Sequence, residues 1–133
     1  MDLTNTQSTR EVILLIDDNQ DAAMLMERML QLKGYRAHVC HDGQTGLEAA
    51  ERLRPAVIIM DLAMPDMDGF TVCQRIRAQP WGRQMMLVAL SGYSSQADQE
   101  LSRQAGFNAH LIKPADWPIL IKLLEQGLAT DQG

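Results

Sequence analysis

Apolar residues fall into two alternating signatures along the chain. Unbroken aliphatic runs occur at Val12–Ile16, Ala56–Met60 and Met85–Leu90, with shorter mixed runs at Arg36–Cys40 and Ala109–Ile112. Such runs predict strands covered on both faces, because a strand with one face in water alternates apolar with polar residues. Between them the apolar residues recur at helical spacing. Met24, Leu25, Met29, Leu30 and Leu32 mark a helix over Asp21–Lys33, and a second follows over Gly43–Leu53. Phe70, Val72, Cys73, Ile76 and Arg77 mark a third, Gln96–Ala105 a more polar fourth, and Asp116–Gly127 a last amphipathic one. Gly34 and Gly106 stand where a left-handed residue ends a helix, and Pro80 stands where one cannot continue.

Five strands alternating with five helices predict an α/β fold: a parallel sheet with helices on both faces, because right-handed crossovers must cover each side. The full expectation is a three-layer (βα)5 doubly wound sheet. Its strand order, 2-1-3-4-5, is taken from the flavodoxin-like arrangement by analogy and does not follow from spacing. At 133 residues the chain has the length of one domain. Residues 11–128 are expected to form it, with a disordered lead at 1–10, a tail at 129–133 and no room for a separate effector domain.

Charge and composition narrow the function classes. A formal charge of -5 and a pI near 5.0 oppose the basic footprint of nucleic-acid binding. The uncharged apolar runs fall far short of the roughly twenty residues a membrane helix requires, and Met1–Arg10 lacks the basic and apolar regions of a secretory signal. Cys40 and Cys73 show no CxxC spacing and read as reduced packing residues, so a cytoplasmic location is expected.

Ligands of open α/β sheets bind beyond the carboxyl ends of the strands. There the sequence places Asp17 and Asp18 after strand one, Asp61 after strand three, Ser91 after strand four and Lys113 after strand five. Each has a bland reading alone: Asp17-Asp18 as a helix cap, Ser91 as a turn residue before Gly92, Lys113 as a surface charge. Together they converge. Three clustered carboxylates repel one another unless a cation intervenes, and a hard divalent ion such as Mg²⁺ (or Mn²⁺) keeps positions open for a phosphoryl oxygen. Lys113 and Ser91 would balance the remaining charge of a transferring phosphoryl group.

Asp17-Asp18, the stretch Asp61-Leu62-Ala63-Met64-Pro65-Asp66-Met67-Asp68-Gly69, Ser91-Gly92 and Lys113-Pro114 together resemble the signature of response-regulator receiver domains of two-component signalling. The resemblance runs from about Glu11 to Gly127. It implies that Asp61 is the phosphoacceptor and that Asp17, Asp18, Asp61 and the main-chain carbonyl of Ala63 hold the metal. It also implies that Lys113 pairs with Asp61 and then with the phosphoryl group, that Ser91 turns inward on phosphorylation, and that the Lys113-Pro114 bond is cis. Such a protein is a signalling phosphoacceptor rather than an enzyme. Its implied partners are a histidine kinase or histidine phosphotransfer domain, docking on helix one and the loop after strand five, and a downstream protein target; neither nucleic acid nor membrane is expected. The family's switch residue, often Tyr or Phe, falls at His110, a departure shared with receivers like those at the C-termini of hybrid kinases. Tyr93, two after Ser91, would flank the path of attacking water.

Other constellations are weaker. His38, Cys40 and His41 lack a fourth ligand for zinc, since 38 and 40 share a strand face and 41 lies at its exit. Asp66 and Asp68 read as shaping the loop and capping helix three. The methionines read as core filler, with Met26 and its neighbours on helix one available to a partner. A flavin binder on the same fold would need phosphate-binding amides where Asp17-Asp18-Asn19 stands. An aspartate-nucleophile phosphatase would need an acid where Ala63 stands. A pseudo-receiver acting only as an interaction module would have lost an acid or the lysine, and none is lost.

Overall fold

The computed structural model describes residues 12–92 and 95–132, with the side chains of 129–132 left aside. The lead at 1–10 and Tyr93 lie outside the described residues. The elements are β1 (Val12–Ile16), α1 (Gln20–Leu32), β2 (Arg36–Cys40), α2 (Gly43–Leu53), β3 (Val57–Asp61), α3 (Gly69–Arg77), a 3-10 turn (Pro80–Gly82), β4 (Met86–Ser91), α4 (Gln96–Ala105), β5 (Ala109–Ile112) and α5 (Trp117–Gln132). All strand pairs are parallel and the order is β2-β1-β3-β4-β5, the flavodoxin-like arrangement.

The sheet divides two cores. On one face Leu14, Ile16, Ile58, Met60, Leu87 and Ala89 pack against Ala49 of α2, Val72 and Ile76 of α3 and Ala105 of α4. On the other, Ile13, Leu15, Val57, Ile59, Val88 and Leu90 pack against Ala23 and Leu30 of α1 and Leu120 and Leu124 of α5. Burial on both faces is why β1, β3 and β4 read as unbroken apolar runs. The edge strand β2 is less covered, and its Arg36 is exposed.

Side-chain caps set where the helices begin. Asn19, Asp42, Asp68 and Ser95 accept from backbone amides at the N-termini of α1, α2, α3 and α4, and Ser95 and Asp98 form a reciprocal capping box. Gly106 ends α4 at φ 119°, whereas α2 ends on Arg54 at φ 50°, with no glycine to announce it.

Two expectations need correction. Met24, read as core filler, is 63% exposed, as are Leu25 at 63% and Leu32 at 81%, and α1 instead buries Ala23 and Leu30. Apolar residues surround that helix, so periodicity alone could not choose the inward stripe; the small Ala23 lets the helix approach the sheet. Gly127 does not end the last helix, which continues to Gln132 through the stretch read as a tail. A Cβ at Gly127 would lie 2.6 Å from Val57 Cγ2 and 3.2 Å from Met86 Cβ, so this glycine marks a close helix–sheet approach.

Candidate functional site

The sheet order changes direction between β1 and β3, and the crevice beyond their carboxyl ends holds the acidic residues. Asp17 and Asp18 follow β1, Asp61 is the last residue of β3, and Lys113 follows β5. Asp17 and Asp61 are buried, at 3 and 6% exposure, while Asp18 is exposed. The three carboxylates each present an oxygen to one point, all within 4.8 Å of one another.

Each buried acid is held at both oxygens. The Asn19 amide donates to Asp17 Oδ1 at 2.9 Å and the Ala63 amide to Asp61 Oδ1 at 3.0 Å. Lys113 Nζ donates to Asp61 Oδ2 at 2.9 Å and to Asp17 Oδ2 at 3.2 Å. The strand ends are tied as well. His41 Nδ1 sits 3.0 Å from the Asp17 carbonyl, and the Lys113 amide donates to the Ser91 carbonyl at 2.7 Å. Behind Asp61 the chain is tight: a Cβ at Gly69 would lie 2.9 Å from the Asp61 carbonyl oxygen. The Lys113-Pro114 peptide is cis.

Burial pushes the Asp17 carboxyl up from its usual range, and the Asn19 amide and Lys113 only partly oppose it. Burial would lower Lys113, but its bonds to Asp61 and Asp17 outweigh this and hold the ammonium above an ordinary lysine. One ammonium faces three carboxylates. The unbalanced charge, together with oxygen-only donors converging on one point, fits a hard dication, and these residues form the one group of three or more potential metal-ligating side chains among the described residues.

The remaining sequence candidates fall as follows. Ser91 lies one residue beyond Leu90, the strand partner of Asp61, and its hydroxyl is turned to His110 Nε2 at 2.8 Å. The other ring nitrogen of His110 lies 2.8 Å from Ser102 Oγ, a contact the sequence reading missed. Its signal was a serine spaced with Ala105 on the inward face of α4. Ala63 is exposed in the loop, and its amide touches the site by donating to Asp61. Asp68 caps α3 as read, but Asp66 accepts from the Gly43 and Gln44 amides and so caps α2 instead. Those amides, Gly43's first, hold the Asp66 carboxyl below its usual range. Cys40 and Cys73 are buried free thiols, and burial pushes Cys73 up to about 11.

A family model described as the response regulator receiver domain matches residues 13–125. The chain belongs to that family. Similar proteins include an uncharacterized 14.6 kDa protein in the sodA1 3' region of Leptolyngbya boryana, 36% identical over 114 residues, 86% of this chain and 87% of that protein. The response regulator PleD of Caulobacter vibrioides is 34% identical over 104 residues, 78% of this receiver but 23% of PleD. The transcriptional regulators it matches are likewise longer, and it spans 41–46% of their lengths. Among solved structures, the receiver domain of sensor histidine kinase PA1611 from Pseudomonas aeruginosa PAO1 superposes with a TM-score of 0.82 at 36% identity, covering 90% of this chain and 98% of that one. That structure has a magnesium ion coordinated in the active-site cleft. The protein is thus a receiver domain of two-component systems, and no helix among its described residues is long and apolar enough to cross a membrane.

Proposed function

We propose that this receiver accepts a phosphoryl group on Asp61 from a phosphohistidine donor and relays the change to a downstream protein. The observation that carries this is the state of Asp61: buried at the end of β3, oriented by the Ala63 amide and Lys113, and sharing one point with Asp17 and Asp18. A carboxylate oxygen of Asp61 attacks phosphorus, the P–N bond of the donor breaks with its electron pair going to nitrogen, and the imidazole, already protonated at its other ring nitrogen, leaves neutral. Lys113 then moves its charge from the carboxylate to the phosphoryl oxygens, and the Ser91 hydroxyl turns to donate to one of them.

Asp17, Asp18, Asp61 and the main-chain carbonyl of Ala63 would hold Mg²⁺ or Mn²⁺. When bound, the ion neutralises the crowded acids and draws charge off the transferring group. Beside Asp17 and Lys113 lies a groove of about 310 Å³, lined by Leu25, Met26 and Met29 of α1 and by Pro114 and Trp117. Its apolar walls reach Asp17 and Lys113, which suits a histidine kinase or histidine phosphotransfer domain docking a helix there; the cytoplasm, where such donors act, is the proposed location.

Intact-mass analysis after incubation with Mg²⁺ and acetyl phosphate tests the reading. The wild type should gain one phosphate, and Asp61→Asn or chelated protein none. A gain in both proteins would remove Asp61 from its role, and a gain in neither would favour an interaction module that is not phosphorylated.

A further inference from the structure

His110 is gripped from both sides. Nε2 lies 2.8 Å from Ser91 Oγ and Nδ1 lies 2.8 Å from Ser102 Oγ. Ser102 is 1% exposed on α4, and Ser91 is 9% exposed at the end of β4, so water has little access to either hydroxyl. Register pairs His110 with Ala89 and Ser91 with Ile112, and alternation sends His110 and Ser91 to the sheet face that α4 covers. Burial holds the ring below an ordinary histidine, against a weaker pull from Asp98, and so favours the neutral imidazole.

A neutral imidazole has one donor nitrogen and one acceptor nitrogen. The two serines therefore bond to it in opposite senses. In one arrangement Ser91 gives its hydrogen to Nε2 and Nδ1–H gives to Ser102. In the other Ser102 gives its hydrogen to Nδ1 and Nε2–H gives to Ser91, which leaves the Ser91 hydrogen free. A serine hydroxyl has one hydrogen, so only the second arrangement lets Ser91 stay on the ring while donating to a phosphoryl oxygen.

We propose that Ser102 is a positioning residue of the phosphorylation switch. By donating to Nδ1 it holds His110 protonated at Nε2, frees the Ser91 hydrogen for the phosphoryl group on Asp61, and ties α4 to the site. This rests on the reading that Asp61 is phosphorylated and Ser91 answers it, and adds the contact from the helix. Phosphorylation thereby selects one of two hydrogen-bond directions along Ser102–His110–Ser91, and the helix carrying Ser102 registers the selection.

Nitrogen-15 spectra of the His110 ring, paired with intact mass and amide exchange across α4, test it. On incubation with Mg²⁺ and acetyl phosphate, the phosphorylated wild type should show Nε2 protonated and Nδ1 bare, with altered exchange in α4. Ser102→Ala suits a helix and should keep its fold. It should still gain one phosphate, but its ring signals should stay a mixture of tautomers and the α4 exchange response should be lost. A phosphorylated wild type with Nδ1 protonated overturns the proposal whatever the variant does, as does a Ser102→Ala protein responding like the wild type. A wild type that gains no phosphate overturns the underlying reading and this one with it.

Discussion

Arg77 shows how much one side chain can hold. Its guanidinium donates to the carbonyls of Gly82, Arg83, Met85 and Gly106 and to Asn108 Oδ1, which in turn accepts from the Leu87 amide. No carboxylate is among these partners, so the side chain works as a planar fork joining the entries to β4 and β5 rather than as half of an ion pair. Arg77→Met should cost about 3 kcal/mol, since several carbonyls lose a charged donor; urea unfolding measures it, and Arg77→Lys should recover little because an ammonium cannot span the fork. His110 carries a pH signature. Its folded pKa is depressed, so the stability tied to the neutral ring is present above about 6.5, the unfolded value, and is lost as pH falls through the folded pKa. Melting temperature followed downward from neutral pH should show that loss, and His110→Gln should flatten it.

At the scale of elements, two glycines set helix–sheet distances for different purposes. A side chain at Gly127 would press α5 away from Val57 and Met86, at the end of the sheet remote from the acids. Gly127→Leu should therefore lower stability by about 1–3 kcal/mol, as overpacking does, while phosphate uptake by mass stays near that of the wild type. A side chain at Gly69 would meet the Asp61 carbonyl and Leu62 Cα, each at 2.9 Å, and these are backbone atoms that cannot swing aside. Gly69→Ala should slow phosphorylation of Asp61 by displacing β3's last residue, with the rate read by intact mass over time. Helix α2 is held by Asp42 of its own turn and by Asp66 from the loop after β3, which links that loop's shape to a helix distant in sequence.

Over the whole molecule, the site is a meeting of three strand ends whose charges do not balance without a cation. Adding Mg²⁺ should raise the melting temperature by the linkage of a ligand that binds only the folded state, chelation should reverse the rise, and Asp17→Asn should diminish it; calorimetry checks all three. Much of this was legible along the chain. Aliphatic runs at Val12–Ile16 and Ala56–Met60, and the polar residue closing each, placed the strands and their chemistry, because a strand buried on both faces admits only apolar residues until it reaches the rim. Local signals stop there. Which stripe of α1 turns inward, that Gly127 touches the sheet instead of ending a helix, that Asp66 caps α2, and that Ser91 and Ser102 share one imidazole were decided by packing between segments far apart in sequence. Hydrophobic period and cap chemistry are properties of neighbours within a turn or two, whereas a hydrogen bond or close approach between elements depends on distances that only the folded sheet sets.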